Sequence, residues 1–365
     1  MYNWQQNDWR RFRYNENLFT EKALTFMALV GESYGYIQSL SNTERNESVV
    51  DLLINEAIKT SAIEGEFLNR IDLASSIRRN LGYQTPSFRI KDRRAEGIAA
   101  LLVKVRESFD ENLTDAEIFE WHKLLMLGNN SINSGEYRSH SEPMQVISGA
   151  AGKEVVHFEA PPSDIVSQEM ELFFKWFNDT KPDGKQPIAN LLIRAAIAHV
   201  YFETIHPFED GNGRIGRIIA EKAIAQGLKR PILMSLSSSI EANKKDYYEA
   251  LQQAQRTNDL TNWIDYFSQV ILDGQLEFKN TMHFIRRKTA FFEKYHSLFN
   301  EAQSKVIARM LHEEFFEGGM NARKYQSITR VSKATATRHL QDLVEKGILV
   351  SENKGRSTNY QVKLD

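Results

Sequence analysis

Apolar residues recur every three to four positions along most of the chain, and strict alternation is rare. Residues 20–40, 46–60, 67–80 and 90–108 each carry this spacing, which predicts four amphipathic helices. A fifth is predicted over Thr114–Leu127, where Thr114, Asp115 and Glu117 form a helix-start signature. "PPSDIVSQEMELFFKWFND" reads as a helix entered through Pro162 and Ser163. Residues 187–204 are apolar on almost every side, which marks a buried helix, and residues 240–300 continue helical. The one good hairpin candidate is "PMQVISGAAGKEVVHFEAPP", two β-branched runs around a Gly-Ala-Ala-Gly turn.

The last 65 residues change pattern. "EAQSKVIARMLHEEF" and "NARKYQSI" read as two helices. "SKATATRHLQDLVEKG" reads as a third, capped by Ser332 and stopped by Gly347. "ILVSENKGRSTNYQVKL" gives two strands around a Lys-Gly-Arg turn. Three helices and a β-ribbon is the winged-helix pattern.

Composition narrows the function classes. At 365 residues the chain is too long for one simple core, and two or three domains are expected. Its 41% apolar and 26% charged content is ordinary for a globular protein, and a net charge of −2 gives no global pull towards nucleic acid or membrane. The absence of cysteine excludes disulfides, thiolate zinc sites and a cysteine nucleophile. "MYNWQQNDWRRFRYNEN" lacks the apolar core of a signal peptide, and no apolar run is long enough to cross a bilayer. A cytoplasmic location with no membrane partner is expected.

The candidate chemistry sits in "AHVYFETIHPFEDGNGRIGRIIAEKAIAQ", residues 198–226, where two apolar helices flank a turn rich in polar residues. A tight helix–helix connection would explain Gly211, Gly213 and Gly216, but not His206, Asp210, Asn212, Arg214 and Arg217 together. Residues 211–216 also read formally as G-x-G-x-x-G, the dinucleotide fingerprint. That motif must follow a strand directly, and here a helix-like run and five residues precede it. "PILMSLS" could be a second strand, but it ends in no acidic residue. The residues suit phosphates all the same. Glycines let backbone N–H groups approach an anion, and the helix starting near Gly213 aims its positive end at the same place. Arg214 and Arg217 share a face and can clamp a polyphosphate. Asp210 is a candidate Mg²⁺ ligand, His206 a candidate base with an ordinary pKa near neutrality, and Phe208 a core anchor.

"HPFEDGNGRIGR" resembles the signature of the Fic-domain family, His-x-Phe-x-Asp/Glu-Gly-Asn-Gly-Arg-x-x-Arg, at every defined position. The resemblance covers roughly residues 40–290. It implies a mainly α fold: a helical Fic core with a β-hairpin flap, plus the C-terminal winged helix. The expected division is an N-terminal helical region at 1–110, a catalytic core at 111–272, a helical linker at 273–300 and the winged helix at 301–365. The implied activity is transfer of AMP from ATP, with Mg²⁺, to a hydroxyl side chain of a target protein, releasing pyrophosphate. His206 would be the general base and Asp210 the metal ligand. Gly211, Asn212 and Gly213 would form the anion hole, with Arg214 and Arg217 on the β- and γ-phosphates and Ile215 and Gly216 within the same nucleotide-binding stretch. The flap would place Val156, His157, Phe158 and Glu159 beside the nucleotide and pair with the target's backbone. "KKDYYEALQQAQ" resembles the family's adenosine-contacting helix, with Tyr247 and Tyr248 lining the base pocket. Gln255 stands where the family often has Asn. A homodimer is also implied.

"TSAIEGE", residues 60–66, reads by itself as a helix end with Gly65 as cap. It also resembles the family's inhibitory motif, with Thr60, Glu64 and Gly65 in place and an inhibitory helix at about 46–65. Glu64 would pair with Arg217 and keep ATP from its productive geometry. The same glutamate could position a water that removes AMP, so a de-modifying activity stays open.

A second class of function comes from the C-terminal residues. Residues 320–365 carry nine Lys/Arg against four acids. Lys333, Thr335, Thr337 and Arg338 lie where a recognition helix contacts bases, and Lys354 and Arg356 on the wing. The alternatives are thus an autoinhibited protein adenylyltransferase and a DNA-binding regulator with a nucleotide-sensing core. A sensor has no need of His206.

Overall fold

The structure is a computed structural model and describes residues 1–83, 90–129, 131–149, 155–311, 319–352 and 358–364. The described chain forms fourteen α-helices and four short strands. The helices are α1 (Thr20–Ser39), α2 (Asn42–Ile63), α3 (Arg70–Asn80), α4 (Arg93–Glu107), α5 (Asp115–Leu125), α6 (Val166–Asp179), α7 (Leu191–Ile205), α8 (Asn212–Leu228), α9 (Leu236–Ala242), α10 (Lys244–Ala254), α11 (Thr261–Tyr295), α12 (Glu301–Met310), α13 (Ala322–Thr329) and α14 (Lys333–Glu345). The strands β1 (Gln145–Ser148) and β2 (Val155–Glu159) pair antiparallel, as do β3 (Leu349–Glu352) and β4 (Asn359–Val362). Contacts divide the chain into two compact units, Met1–Lys279 and Asn280–Asp365.

The boundaries follow local chemistry. Ser41 and Glu44 close a reciprocal capping box at the start of α2, and Gly65 stops that helix with φ +80°. Thr114 caps α5 and Asn190 caps α7. Every residue of α7 is buried, including Arg194, His199 and Glu203 within its largely apolar sequence. It packs along α8, so the turn that joins them is anchored on two core helices. The helix α2 packs on α3, α4, α8 and α9. Residues 2–13 thread beneath the first hairpin and bond to the end of α10 and the chain beyond it. The Asn3 N–H donates to the Gln255 carbonyl (2.8 Å) and the Trp4 indole to the Glu159 carbonyl (2.7 Å).

Several expectations are revised. Residues 231–235 form no strand, and Ser235 instead caps α9, so no βαβ unit exists around the glycine motif. The N-terminal region shares one compact unit with the residues of the expected core. The division falls within α11, between Lys279 and Asn280, inside the stretch 273–300 expected as a helical linker. In the second unit, α12–α14 and the β3–β4 ribbon enclose a core of Val306, Ile307, Tyr325, Ala336, Leu340 and Leu343. Ala150–Gly152 of the first hairpin's turn, and Lys354 and Arg356 of the second's, lie outside the described residues.

The α4–α5 contact gives a stability test. A Cβ on Gly97 would stand 2.1 Å from the Leu124 carbonyl oxygen. Gly97→Ala should therefore cost about 1–3 kcal/mol, read as a lower denaturant midpoint.

Candidate functional site

A cavity of about 790 Å³ opens between the α7–α8 turn, the first hairpin and α10. That is a size suited to a nucleotide-scale ligand. His206, Asp210, Gly211, Asn212, Gly213 and Arg217 line one side, and Tyr247, Tyr248 and Gln255 another. Glu64 reaches into it from the end of α2.

The turn is built by contacts that sequence reading had not identified. His206 caps α7 in the left-handed conformation, φ +50°. The buried Arg138 holds it there: its Nε donates to the His206 carbonyl (2.8 Å) and its Nη1 to Ser163 Oγ (2.9 Å). The Gly135 N–H donates to His122 Nδ1, which leaves the opposite nitrogen to donate to the Asp210 carbonyl (3.1 Å). The His122 ring stacks on Phe208, centroids 4.0 Å apart, so Phe208 is the core anchor expected of it. The Asn212 side chain is spent on the turn itself, bonding both the N–H and the carbonyl of Phe208. At Gly211, φ is +82° and a Cβ would lie 2.4 Å from Met126, so only glycine fits.

The anion-binding end of α8 faces a carboxylate of the same chain. Glu64 Oε1 accepts from Arg217 Nη2 at 2.9 Å, while Thr60 receives the guanidinium through Oγ1 (2.9 Å) and its carbonyl (3.0 Å). A Cβ on Gly213 would stand 2.5 Å from Glu64 Oε1, so the missing side chain is what admits the carboxylate. Burial works against the Arg217 charge, but Glu64, Tyr247 and Glu203 outweigh it and hold the guanidinium above its ordinary range. A second pair lies beside the first: Glu66 Oε1 meets Arg214 Nη1 at 2.9 Å. Both arginines are thus engaged by the turn that ends α2. Glu66 sits inside the quoted "TSAIEGE" stretch and drew no notice there.

Burial, and next to it the Arg138 charge, push the His206 imidazole down to about 4. The ring is therefore neutral at pH 7 and able to accept a proton, but its conjugate acid is stronger than an ordinary imidazolium. Tyr247 is 1% exposed and bonds His199 Nε2 at 2.7 Å, whereas Tyr248 is half-exposed. The Gln255 side chain donates to the Glu203 carbonyl (3.2 Å).

Not every expected residue faces the cavity. Of the strand β2 residues, His157 and Phe158 line it, and Val156 and Glu159 do not. Residues 145–148 of β1 line it instead. Ile215 is a fully buried core residue. Gly216 makes room for Glu203, whose Oε1 would stand 2.2 Å from an added Cβ. As for Mg²⁺, Asp210 offers one half-exposed carboxylate in the wall, and no group of three or more His, Cys, Asp or Glu that could hold a metal occurs among the described residues. That fits an ion held chiefly by a nucleotide's phosphates. In the second unit, Lys333 and Arg338 are exposed, while Thr335 bonds Ser332 and Thr337 bonds the Lys333 carbonyl.

Comparison with known proteins agrees with this geometry. Residues 112–224 match the profile of the Fic/DOC family, so the chain carries a Fic/DOC family domain. Residues 2–83 match a domain of unknown function, DUF4172. The chain is 29% identical over 144 residues to Protein adenylyltransferase Fic of Nematostella vectensis, covering 40% of this chain and 29% of that protein. It is 28% identical over 163 residues to a probable protein adenylyltransferase of Aquifex aeolicus, covering 45% and 43%. The chain therefore spans less than half the length of these curated relatives. The fold resembles that of a Fic family protein from Desulfovibrio desulfuricans, TM-score 0.52 at 19% identity over 94% of this chain and 96% of that one. It also resembles Fic-1 of C. elegans, TM-score 0.52 at 19% identity over 73% and 74%. No helix among the described residues is long and apolar enough to cross a membrane.

The helix carrying Glu64 is tied to α8 and α9 by a buried acid pair. Glu56 accepts from Ser235 Oγ (2.7 Å) and the Ser237 N–H (3.1 Å), and the buried Glu221 carboxyl lies close enough to feel its charge. Burial, and then the Glu56 charge, raise Glu221 well above the usual carboxyl range. A raised carboxyl stabilises the fold fully below its unfolded pKa of about 4.3 and loses that contribution as pH climbs towards its folded value. Denaturant midpoints should therefore fall as pH rises above about 5, and Glu221→Gln should flatten the fall.

Proposed function

We propose that the cavity is the active site of an autoinhibited protein adenylyltransferase that moves AMP from ATP to a Tyr, Thr or Ser hydroxyl of a target protein, this chain included among the candidates. The observation that carries the reading is that His206, the N-terminus of α8 and the buried Arg217 all face one nucleotide-sized space. In that reading the polyphosphate lies across the N-terminal turn of α8, where backbone N–H groups and the helix dipole favour negative charge. Arg217 takes the terminal phosphate and Arg214 its neighbour. His206 accepts the target's proton as the hydroxyl oxygen bonds to the α-phosphorus, and the bond to the bridging oxygen breaks with its electrons leaving on pyrophosphate. Asp210 would hold Mg²⁺, which would neutralise phosphate charge. The residues 145–148 and 155–159 would offer the target a strand edge.

Glu64 inhibits by holding the place of the terminal phosphate. Each charge-assisted hydrogen bond it makes is worth about 1.5–3 kcal/mol, enough to slow transfer by roughly 10–100-fold and still be reversed. Glu66 adds a weaker, partly exposed lock on Arg214. The similarity to proteins named adenylyltransferases supports the AMP chemistry, and use of Glu64 to remove AMP is the reverse activity of the same site. DNA binding through the second unit rests on the exposed Lys333 and Arg338 alone.

Incubation with α-labelled ATP and Mg²⁺ in a cell lysate tests the reading. Glu64→Gly should label protein at least tenfold faster than the unaltered chain. Glu64→Gly/Glu66→Ala should be faster again, and Glu64→Gly/His206→Ala should be silent. No label in any of these variants would remove the AMP-transfer reading.

A further inference from the structure

Glu203 is the one acid in α7, a fully buried and largely apolar helix, and the mechanism above leaves it unused. It is 4% exposed, stands three residues before His206, and lines the same cavity. Its Oε2 lies 3.9 Å from His206 Nδ1. Glu203 Oε1 and His206 Nδ1 are both buried and have no hydrogen-bond partner. Unpaired buried polar atoms on two adjoining side chains are uncommon in a folded core, where nearly every polar group is paired. The space for the carboxyl is provided by Gly216, since any side chain there would strike Oε1.

We propose that Glu203 is the positioning residue for the base: its carboxylate accepts a hydrogen bond from His206 Nδ1–H and so leaves Nε2 free to take the target's proton. This rests on the AMP-transfer reading of the cavity. The arrangement is that of a nucleophile, a base and a third group that orients the base. At 3.9 Å the bond is not yet made, and catalytic hydrogen bonds are commonly long before the reactants are in place. A closing of about 1 Å brings the two atoms into range. When His206 takes the proton it becomes a buried imidazolium, which its pKa near 4 makes costly. A carboxylate beside it offsets that cost, and the proton it holds on Nδ1 does not leave the ring.

The groups around the pair decide when Glu203 is ionised. His199 and His206 face it from α7, Arg217 from α8, Tyr247 from α10 and Glu64 from α2, while Arg138 faces His206. Burial pushes the carboxyl up to about 8, with Arg217 pulling down and Glu64 pushing up. With Glu64 in place the carboxyl keeps its proton at neutral pH. Withdrawal of Glu64 removes a charge that opposes ionisation, so the inhibitory carboxylate also disarms the partner of the base.

The experiment compares the full chain with Glu203→Gln, each in the Glu64→Gly background, by two readouts. The first is AMP transfer from α-labelled ATP as a function of pH. We expect Glu203→Gln to lower kcat about 10–100-fold, to leave KM for ATP within about threefold, and to lose the rise in rate as pH approaches 8. A structural role alone would not remove that rise. The second is the ring ¹⁵N shifts of His206, assigned with His206→Ala, from about pH 6 to 9. They should inflect with the ionisation of Glu203 and run flat in Glu203→Gln. Unchanged kcat and pH profile, or ¹⁵N shifts that do not differ between the two proteins, would overturn the proposal. If Glu64→Gly labels nothing, the AMP-transfer reading fails by itself, and the ¹⁵N titration still decides whether Glu203 governs His206.

Discussion

A guanidinium with 1% of its side chain exposed cannot lose its proton, so its charge and its N–H groups must find partners within the fold. Arg217 is that group, and most of the site answers to it. Thr60 takes two of its N–H groups, Glu64 supplies the charge, and Gly213 lacks the side chain that would keep the carboxylate away. The start of α8 points its positive end at the same spot. The cavity is therefore an anion site already filled by the chain's own carboxylate. On the proposed reading, a phosphate arriving there would take the place of Glu64, one anion exchanged for another. That is the condition a reversible switch requires.

The carboxylate is delivered by α2, and α2 is well fastened. Glu56 anchors it to Ser235 and Ser237, Asn55 bonds Ser238, and the Lys244 ammonium caps the Ile63 carbonyl at its end. The segment matching a domain of unknown function thus meets the cavity from two sides. Its helix carries Glu64 and Glu66, and its first residues support the hairpin through Trp4 and through the edge-to-face contact of Tyr2 with Phe158. Nothing about residues 2–83 makes them a separate body: they complete the walls of a site whose central motif lies far along the chain.

Much of this was legible in the sequence, and the reason is locality. The 206–217 turn places its chemistry within twelve consecutive residues, so spacing alone assembled it. The helices followed from apolar periodicity, and two of their caps from Thr114 and Ser332. What escaped came from side chains that meet only in the fold. Arg138 sits in an irregular loop with no periodicity to flag it, and His122 looks like any polar position of an amphipathic helix. Val156 and Glu159 do not line the cavity, which the sequence of a strand by itself does not reveal. Glu203 did leave a trace: a lone acid within fifteen mostly apolar residues has to have a reason to be buried.

The weak basicity of His206 makes the same point about mechanism. A ring pushed down to about 4 is a poor proton acceptor by solution standards, and still it is neutral and ready at pH 7. Phosphoryl and nucleotidyl transfer asks less of the base than of alignment, since the charge to be managed lies mostly on phosphate oxygens. The fold is organised accordingly. It spends Arg138 and a left-handed backbone on where His206 points, and Asn212, His122 and Gly211 on the turn beyond it. A stronger base in a looser turn would lose more through misplacement than it gained in driving force. Position governs this site, and the electrostatic cost of a buried imidazolium falls to whichever neighbour can carry the opposite charge.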